Sequence, residues 1–212
     1  VAAQVDSPNG KKTPRQPFYG KWIWHPDAQP NTHTCWFRKV FEIPEGEVVA
    51  AAKMIITADN SFVLYVNGKR IGESTVWMNA SSFDLSTALS TGKNVLAVEA
   101  KNVDGPFGLI AGLCAEFDDG AALEIRSDKT WLASLSPTDG FERLAYDTSK
   151  WTTVKEIADA GGSPWNSIGN FEKPATILSK TVQIIGSGQA FTWKAPRGGM
   201  WQIYVFNKYH EP

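Results

Sequence analysis

The chain has 212 residues, enough to bury a substantial core without crosslinks. Its 21 basic and 22 acidic residues leave a formal net charge of −1, so it carries no electrostatic footprint for nucleic acid or an anionic membrane. No stretch approaches the roughly 20 consecutive apolar residues of a membrane span. Two cysteines are too few for a disulfide scaffold and have no metal-ligand spacing.

The first 17 residues, VAAQVDSPNGKKTPRQP, are polar and rich in Pro, Gly and Lys, which predicts a flexible solvated tail. They lack the apolar core of a signal peptide, and the chain opens on Val1. The expectation is a processed protein or an excised fragment whose export signal has been removed. Beyond the tail, period-two alternation predicts strands over 35–42, 52–58, 61–66, 69–72, 94–101, 108–117 and 122–127. Turn chemistry separates them: Pro44-Glu45-Gly46, Asn67-Gly68, Thr91-Gly92-Lys93, Asp104-Gly105-Pro106 and Asp118-Asp119-Gly120. Phe62, Leu64 and Val66 share one strand face, and Asn67-Gly68 supplies the positive φ of a tight hairpin. Many short strands with regular turns predict an all-β sandwich or barrel.

One short connector, FDLSTALSTGKN, has Asp84 as a helical N-cap candidate and Gly92 as a stop. From 127 to 166 the pattern turns irregular, with Trp131, Trp151 and Trp165 spaced among polar residues as loop anchors. Three more strand-like runs follow within 171–212; they either complete the sandwich of 18–170 or begin a next domain. Cys35 and Cys114 lie in apolar strand-like runs and read as two buried free thiols, with a bridge as the alternative.

Catalytic signatures are absent from the sequence: no nucleophile elbow, no phosphate-binding loop, no dinucleotide fingerprint and no H-E-x-x-H. His25, His33 and His210 have no partners at metal-ligand spacing, and the carboxylates sit in turn contexts. Nine tryptophans in 212 residues is high; most read as core or loop anchors, leaving one or two for a binding face, and a flat aromatic face suits the C–H side of a sugar ring. Trp77 is the best candidate, because it falls in the polar loop GESTVWMNASS rather than in an alternating strand.

Asp59 and Asn60 stand where one apolar strand ends and the next begins. A plain Asx turn accounts for the pair. So does a calcium ion, which takes six to eight oxygens from carboxylates, amides, backbone carbonyls and water. The loop KNVDGPFG could add backbone carbonyls, with ligand hydroxyls completing the shell.

The series WIWH…WFRKVFEIP, ITADNSFVLYVNGKRIG, FDLSTAL..GKNVLAVEAKNVDGPFGLIAGL, IRSDKTW and YDTSKW…GGSPWN resembles the sandwich domain found beside the catalytic domains of bacterial α-L-rhamnosidases. The resemblance spans about residues 21–166 and implies a jelly-roll β-sandwich of the galactose-binding-like type. It implies a lectin-like, non-catalytic module that uses Ca2+ to recognise L-rhamnose or a similar terminal sugar on a polysaccharide. The module would be secreted or extracellular and joined to a catalytic domain in its parent protein. By resemblance Asp59, Asn60, Asn102 and Phe107 hold the metal, and Asp59, Asn60, Trp77, Asn102, Pro106 and Phe107 meet the sugar. The catalytic barrel of those enzymes has no counterpart in this sequence, so hydrolysis is not implied. The competing expectation is a structural accessory sandwich with no ligand of its own.

Overall fold

A computed structural model of the chain describes residues 20–29, 34–137, 139–166 and 168. These residues fall in one compact unit, Val1–Leu178. The expected tail over 1–17 and the strand-like runs within 171–212 lie outside the described residues.

Among the described residues twelve strands follow in order: β1 Lys21–Trp24, β2 Thr34–Ile43, β3 Val49–Asp59, β4 Ser61–Val66, β5 Lys69–Ser74, β6 Ser81–Asp84, β7 Gly92–Lys101, β8 Gly108–Phe117, β9 Ala122–Arg126, β10 Leu132–Ser134, β11 Thr152–Thr153 and β12 Lys155–Asp159. They form two antiparallel sheets. The first runs β12-β1-β8-β3-β6 with β9 also on β8, and the second runs β11-β10-β2-β7-β4-β5. The fold is a jelly-roll β-sandwich: alternation and turns predict a sandwich or barrel, and the resemblance implies the jelly roll.

Each strand faces the core as its pattern dictates. Ala52, Met54, Ile56 and Ala58 of β3 meet Phe62, Leu64 and Val66 of β4, Leu96, Val98 and Ala100 of β7, and Cys35 and Phe37 of β2 in one cluster between the sheets. Fully burying one such side chain contributes roughly 1.5–3 kcal/mol, so the register of the long strands is strongly specified. The β4–β5 hairpin turns on Asn67 (φ 50°) and Gly68 (φ 84°). Asn67 also fixes its surroundings: its Oδ1 accepts the Val95 N–H at 2.9 Å, and its Nδ2 donates to Asn94 Oδ1 at 2.8 Å.

Among the described residues every predicted strand is present, and five others were not expected. β1 and β6 have only four residues each, too few for a clear alternation, and β10 to β12 occupy the stretch read as irregular. Pairing with a long neighbour holds such short strands; β12, for example, lies along β1 from Lys21↔Asp159 to Trp24↔Lys155. The connector after β6 makes one turn, with Leu89 N–H donating to the Leu85 carbonyl at 3.3 Å and Asp84 Oδ1 accepting the Ser86 N–H at 2.9 Å. Gly92 does not end that turn; it opens β7 at φ 84°.

Cys35 lies in the second sheet and Cys114 in the first, and both are buried thiols outside any disulfide. Burial pushes the Cys35 thiol far above its ordinary range, leaving almost no thiolate. Neither thiol is therefore expected to react with a disulfide reagent in the native chain, and both are expected to react once denaturant is added. Rapid native labelling of Cys35 would contradict this burial.

A second, smaller cluster covers the outer face of the first sheet. Trp22 of β1, Ile55 of β3 and Ile110 of β8 pack there with Ala80, Trp165 and Ile168, and Trp77 lies against them. Trp22 and Trp165 stack with centroids 4.0 Å apart and planes 17° from parallel. This cluster positions the site described next.

Candidate functional site

Alternation along β3 decides where Asp59 points. The even positions 52 to 58 face the main core, so Ile55, Thr57 and Asp59 face the outer side, towards Trp77 and Trp165. Thr57 donates through its hydroxyl to the Trp77 carbonyl at 2.9 Å, anchoring the loop between β5 and β6. Asp59, only 5% exposed, accepts the Trp165 indole N–H on Oδ2 at 2.9 Å. Burial raises its carboxyl above the ordinary carboxylate value. The Trp165 hydrogen bond opposes that shift, and the nearby charge of Asp104 adds to it.

At Asn60 the chain passes from the first sheet to the second, and at 102–107 it passes back, so both crossovers lie at one end of the sandwich. They are bonded to each other. Asn60 N–H donates to the Lys101 carbonyl at 2.6 Å, and Asn60 Oδ1 accepts the Val103 N–H at 2.6 Å. The Asp59–Asn60 peptide is cis.

Asn102, 2% exposed, sits at the centre of this end. One arm of its side-chain amide lies 3.0 Å from the Asp104 carbonyl, 3.1 Å from the Pro106 carbonyl and 3.3 Å from Asn60 Oδ1. All three neighbours are acceptors. The amide NH2 in that place donates to the three oxygens and holds the loop as an Asx-type turn. With the NH2 there the three oxygens are satisfied without an ion; to hold a cation the Asn102 amide would have to turn its oxygen inward. Asp59 adds a carboxylate at the same sandwich end, and only its Oδ2 is taken up by Trp165. This donor set suits a hard, oxygen-seeking ion. Among the described residues no group of three His, Cys, Asp or Glu side chains could hold a metal, so a cation here would depend on amide and backbone oxygens.

The structure thus brings Asp59, Asn60, Asn102 and Pro106 to one place, with Trp77 on the adjoining aromatic cluster. Phe107 turns its ring to Trp24, with centroids 5.5 Å apart, so its carbonyl is the group it has to offer. Sequence reasoning read Trp165 as a loop anchor and missed its bond to Asp59. It also missed Gly108, which pairs with Asp59 across β3 and β8. A Cβ at Gly108 would stand 2.7 Å from Trp22 Cε3 and 2.8 Å from Trp165 Cζ2 and Cη2. Gly108→Ala is therefore expected to cost about 1–3 kcal/mol by overpacking. Urea denaturation would measure it, and an unchanged midpoint would mean that the stack is loose.

No protein-family model matches the chain, and no curated protein matches it by sequence. Solved structures do. The chain is similar to an α-L-rhamnosidase from Streptomyces avermitilis, solved with L-rhamnose, at 28% identity and a TM-score of 0.67 over 79% of this chain and 17% of that one. It is similar to the family 78 rhamnosidase of Bacillus sp. GL1 at 25% identity, with a TM-score of 0.62, over 73% and 20% of the two chains. The Pleurotus ostreatus lectin shares the fold, at 23% identity with a TM-score of 0.66, over 80% of this chain and 50% of the lectin. The likeness is to domains. The chain spans about a fifth or less of either rhamnosidase and half of the lectin.

Proposed function

We propose that the chain is a non-catalytic carbohydrate-binding module that recognises L-rhamnose, or a similarly hydroxylated terminal sugar, with calcium. The observation that carries this reading is the set of oxygens at the sandwich end: Asn60 Oδ1 and the Asp104 and Pro106 carbonyls around the Asn102 amide, with Asp59 beside them. Asp59, Asn60, Asn102 and the backbone of 104–107 would hold the ion. When bound, calcium supplies coordination positions that sugar hydroxyls can share. The half-buried indole of Trp77 offers a flat face for the sugar C–H groups, and Pro106 is an exposed rim residue. The structural likeness to rhamnosidase domains and to a lectin supports a carbohydrate-directed role. In a parent protein the module would tether a catalytic domain to a rhamnose-containing polysaccharide outside the cell.

Titration calorimetry of L-rhamnose, with galactose as control, tests the reading in excess calcium and again with a chelator. Rhamnose is expected to bind in the micromolar to millimolar range, about 4–8 kcal/mol, and to lose all binding in chelator. Binding that survives the chelator would remove the metal from the proposal. Silence in both conditions would favour the structural accessory role.

A further inference from the structure

The alternation that sends Cys35, Phe37, Phe62 and Leu64 into the core sends Trp36 and Tyr65 to the outer face of the second sheet. Register sets Trp36 of β2 opposite Glu99 of β7, and Glu99 opposite Val63 of β4, two positions before Tyr65 on the same face. Glu99 is ordinary on a solvated sheet face; the two large aromatics, Trp36 directly across from it and Tyr65 diagonal to it, are not.

Part of their cover comes from the segment 139–143. Phe141 meets Tyr65 edge-on, with centroids 5.6 Å apart at 79°. Arg38, two residues beyond Trp36 and 2% exposed, ties the segment down from below. It donates through Nη1 to the carbonyls of Phe141 and Arg143, the second at 2.9 Å, and its guanidinium lies 5.2 Å from the Tyr146 ring centroid. The cover does not close. A cavity of about 510 Å³ remains, bounded by Trp36, Tyr65, Phe141, Glu99, Asp139 and Glu142, with Arg143 at its edge. It is an open depression on the surface, so a ligand there would stay partly in solvent.

The walls carry three carboxylates against one guanidinium. Arg143 Nε lies 3.6 Å from Glu142, and Glu99 is met by an exposed Lys101 ammonium at 3.1 Å. Burial raises the Tyr65 hydroxyl above its ordinary value, and Glu99, Glu142 and Glu73 raise it further against Arg70. Aromatic faces attract cations as well as sugar C–H groups, so walls of this kind favour a ligand with both.

We propose that this cavity is a second ligand site, on the outer face of the sheet that does not carry Asp59, and that it takes a sugar residue with a free, protonated amino group, a non-acetylated hexosamine. The sugar ring would lie against Trp36 or Tyr65, and its ammonium would meet Glu99 and Glu142. Choosing a sugar among ammonium-bearing ligands rests on the carbohydrate-binding reading above; the cavity and its charge do not.

The test is calorimetry of a β-1,4-linked glucosamine tetramer, with its fully N-acetylated counterpart, into the full chain in chelator. The acetylated tetramer keeps the rings and hydroxyls and loses only the charges. The amino form is expected to bind, at least about tenfold tighter than the acetylated form, and to weaken as salt rises. Glu99→Gln and Glu142→Gln are each expected to weaken it about tenfold, with native thermal midpoints, while Asp59→Ala leaves it unchanged. Failure of the amino tetramer to bind, equal binding of the acetylated one, or native affinity in both Gln variants would overturn the proposal. Rhamnose titrated into the same preparation with calcium reads the Asp59 site separately, so failure of one reading is distinguishable from failure of the other.

Discussion

Replacing Asp59 with alanine is expected to abolish calcium-dependent sugar binding and to leave the sandwich folded. Asp59 offers the only carboxylate of the proposed ligand set, and the remaining donors are neutral amide and carbonyl oxygens that cannot hold calcium tightly alone. Two effects on stability oppose each other. The substitution removes a buried carboxylate, which is favourable, and leaves the Trp165 indole N–H without its acceptor, which costs about 1–3 kcal/mol. Calorimetry with calcium and rhamnose, together with a thermal melt, reads both. A variant that melts far below the parent would mean that Asp59 is structural and would count against the site.

Asp59 also sets a pH signature. Because burial raises its carboxyl above the ordinary value of 3.8, the folded, calcium-free chain holds the proton more tightly than the unfolded chain does. That contribution to stability is present below the unfolded pKa and is lost as pH rises through the folded one. Calcium competes with the same proton, so the increase in Tm on adding calcium is expected to grow with pH across that window. A calcium effect independent of pH there would separate the metal from Asp59.

Trp165→Ala is expected to be the most destabilising single change in this end of the molecule. It empties half of the Trp22–Trp165 stack and leaves a cavity against Ile55 and Ile110, a class of truncation that costs about 3–5 kcal/mol. It also strips the Asp59 carboxylate of its indole donor. Trp165→Phe separates the two contributions, since a phenyl ring can still pack on Trp22 but cannot donate. The phenylalanine variant is expected to recover most of the stability and yet to bind calcium more weakly, because Asp59 is no longer oriented. Calcium affinity measured on both variants checks this. Native affinity in Trp165→Phe would reduce Trp165 to packing alone.

The sequence by itself determined an all-β sandwich or barrel and the faces of its strands, and the resemblance selected the jelly roll. Alternation is local: from Phe62, Leu64 and Val66 one reads the core face, and by the same parity Trp36 and Tyr65 point outward. Asn67-Gly68 is legible because positive φ restricts the residues that can stand there. Asp59 and Asn60 were legible as an unusual pair at a strand end, and the loop 102–107 as a segment with diverted carbonyls. Only the tertiary structure decided what these residues meet. The bond from Trp165 to Asp59 spans 106 positions, the contact of Arg38 with Phe141 spans 103, and no periodicity relates residues so far apart. The short strands β10 to β12 were hidden for the same reason. Two to five residues carry too little pattern to announce a strand, and their order comes from the long neighbours against which the fold lays them.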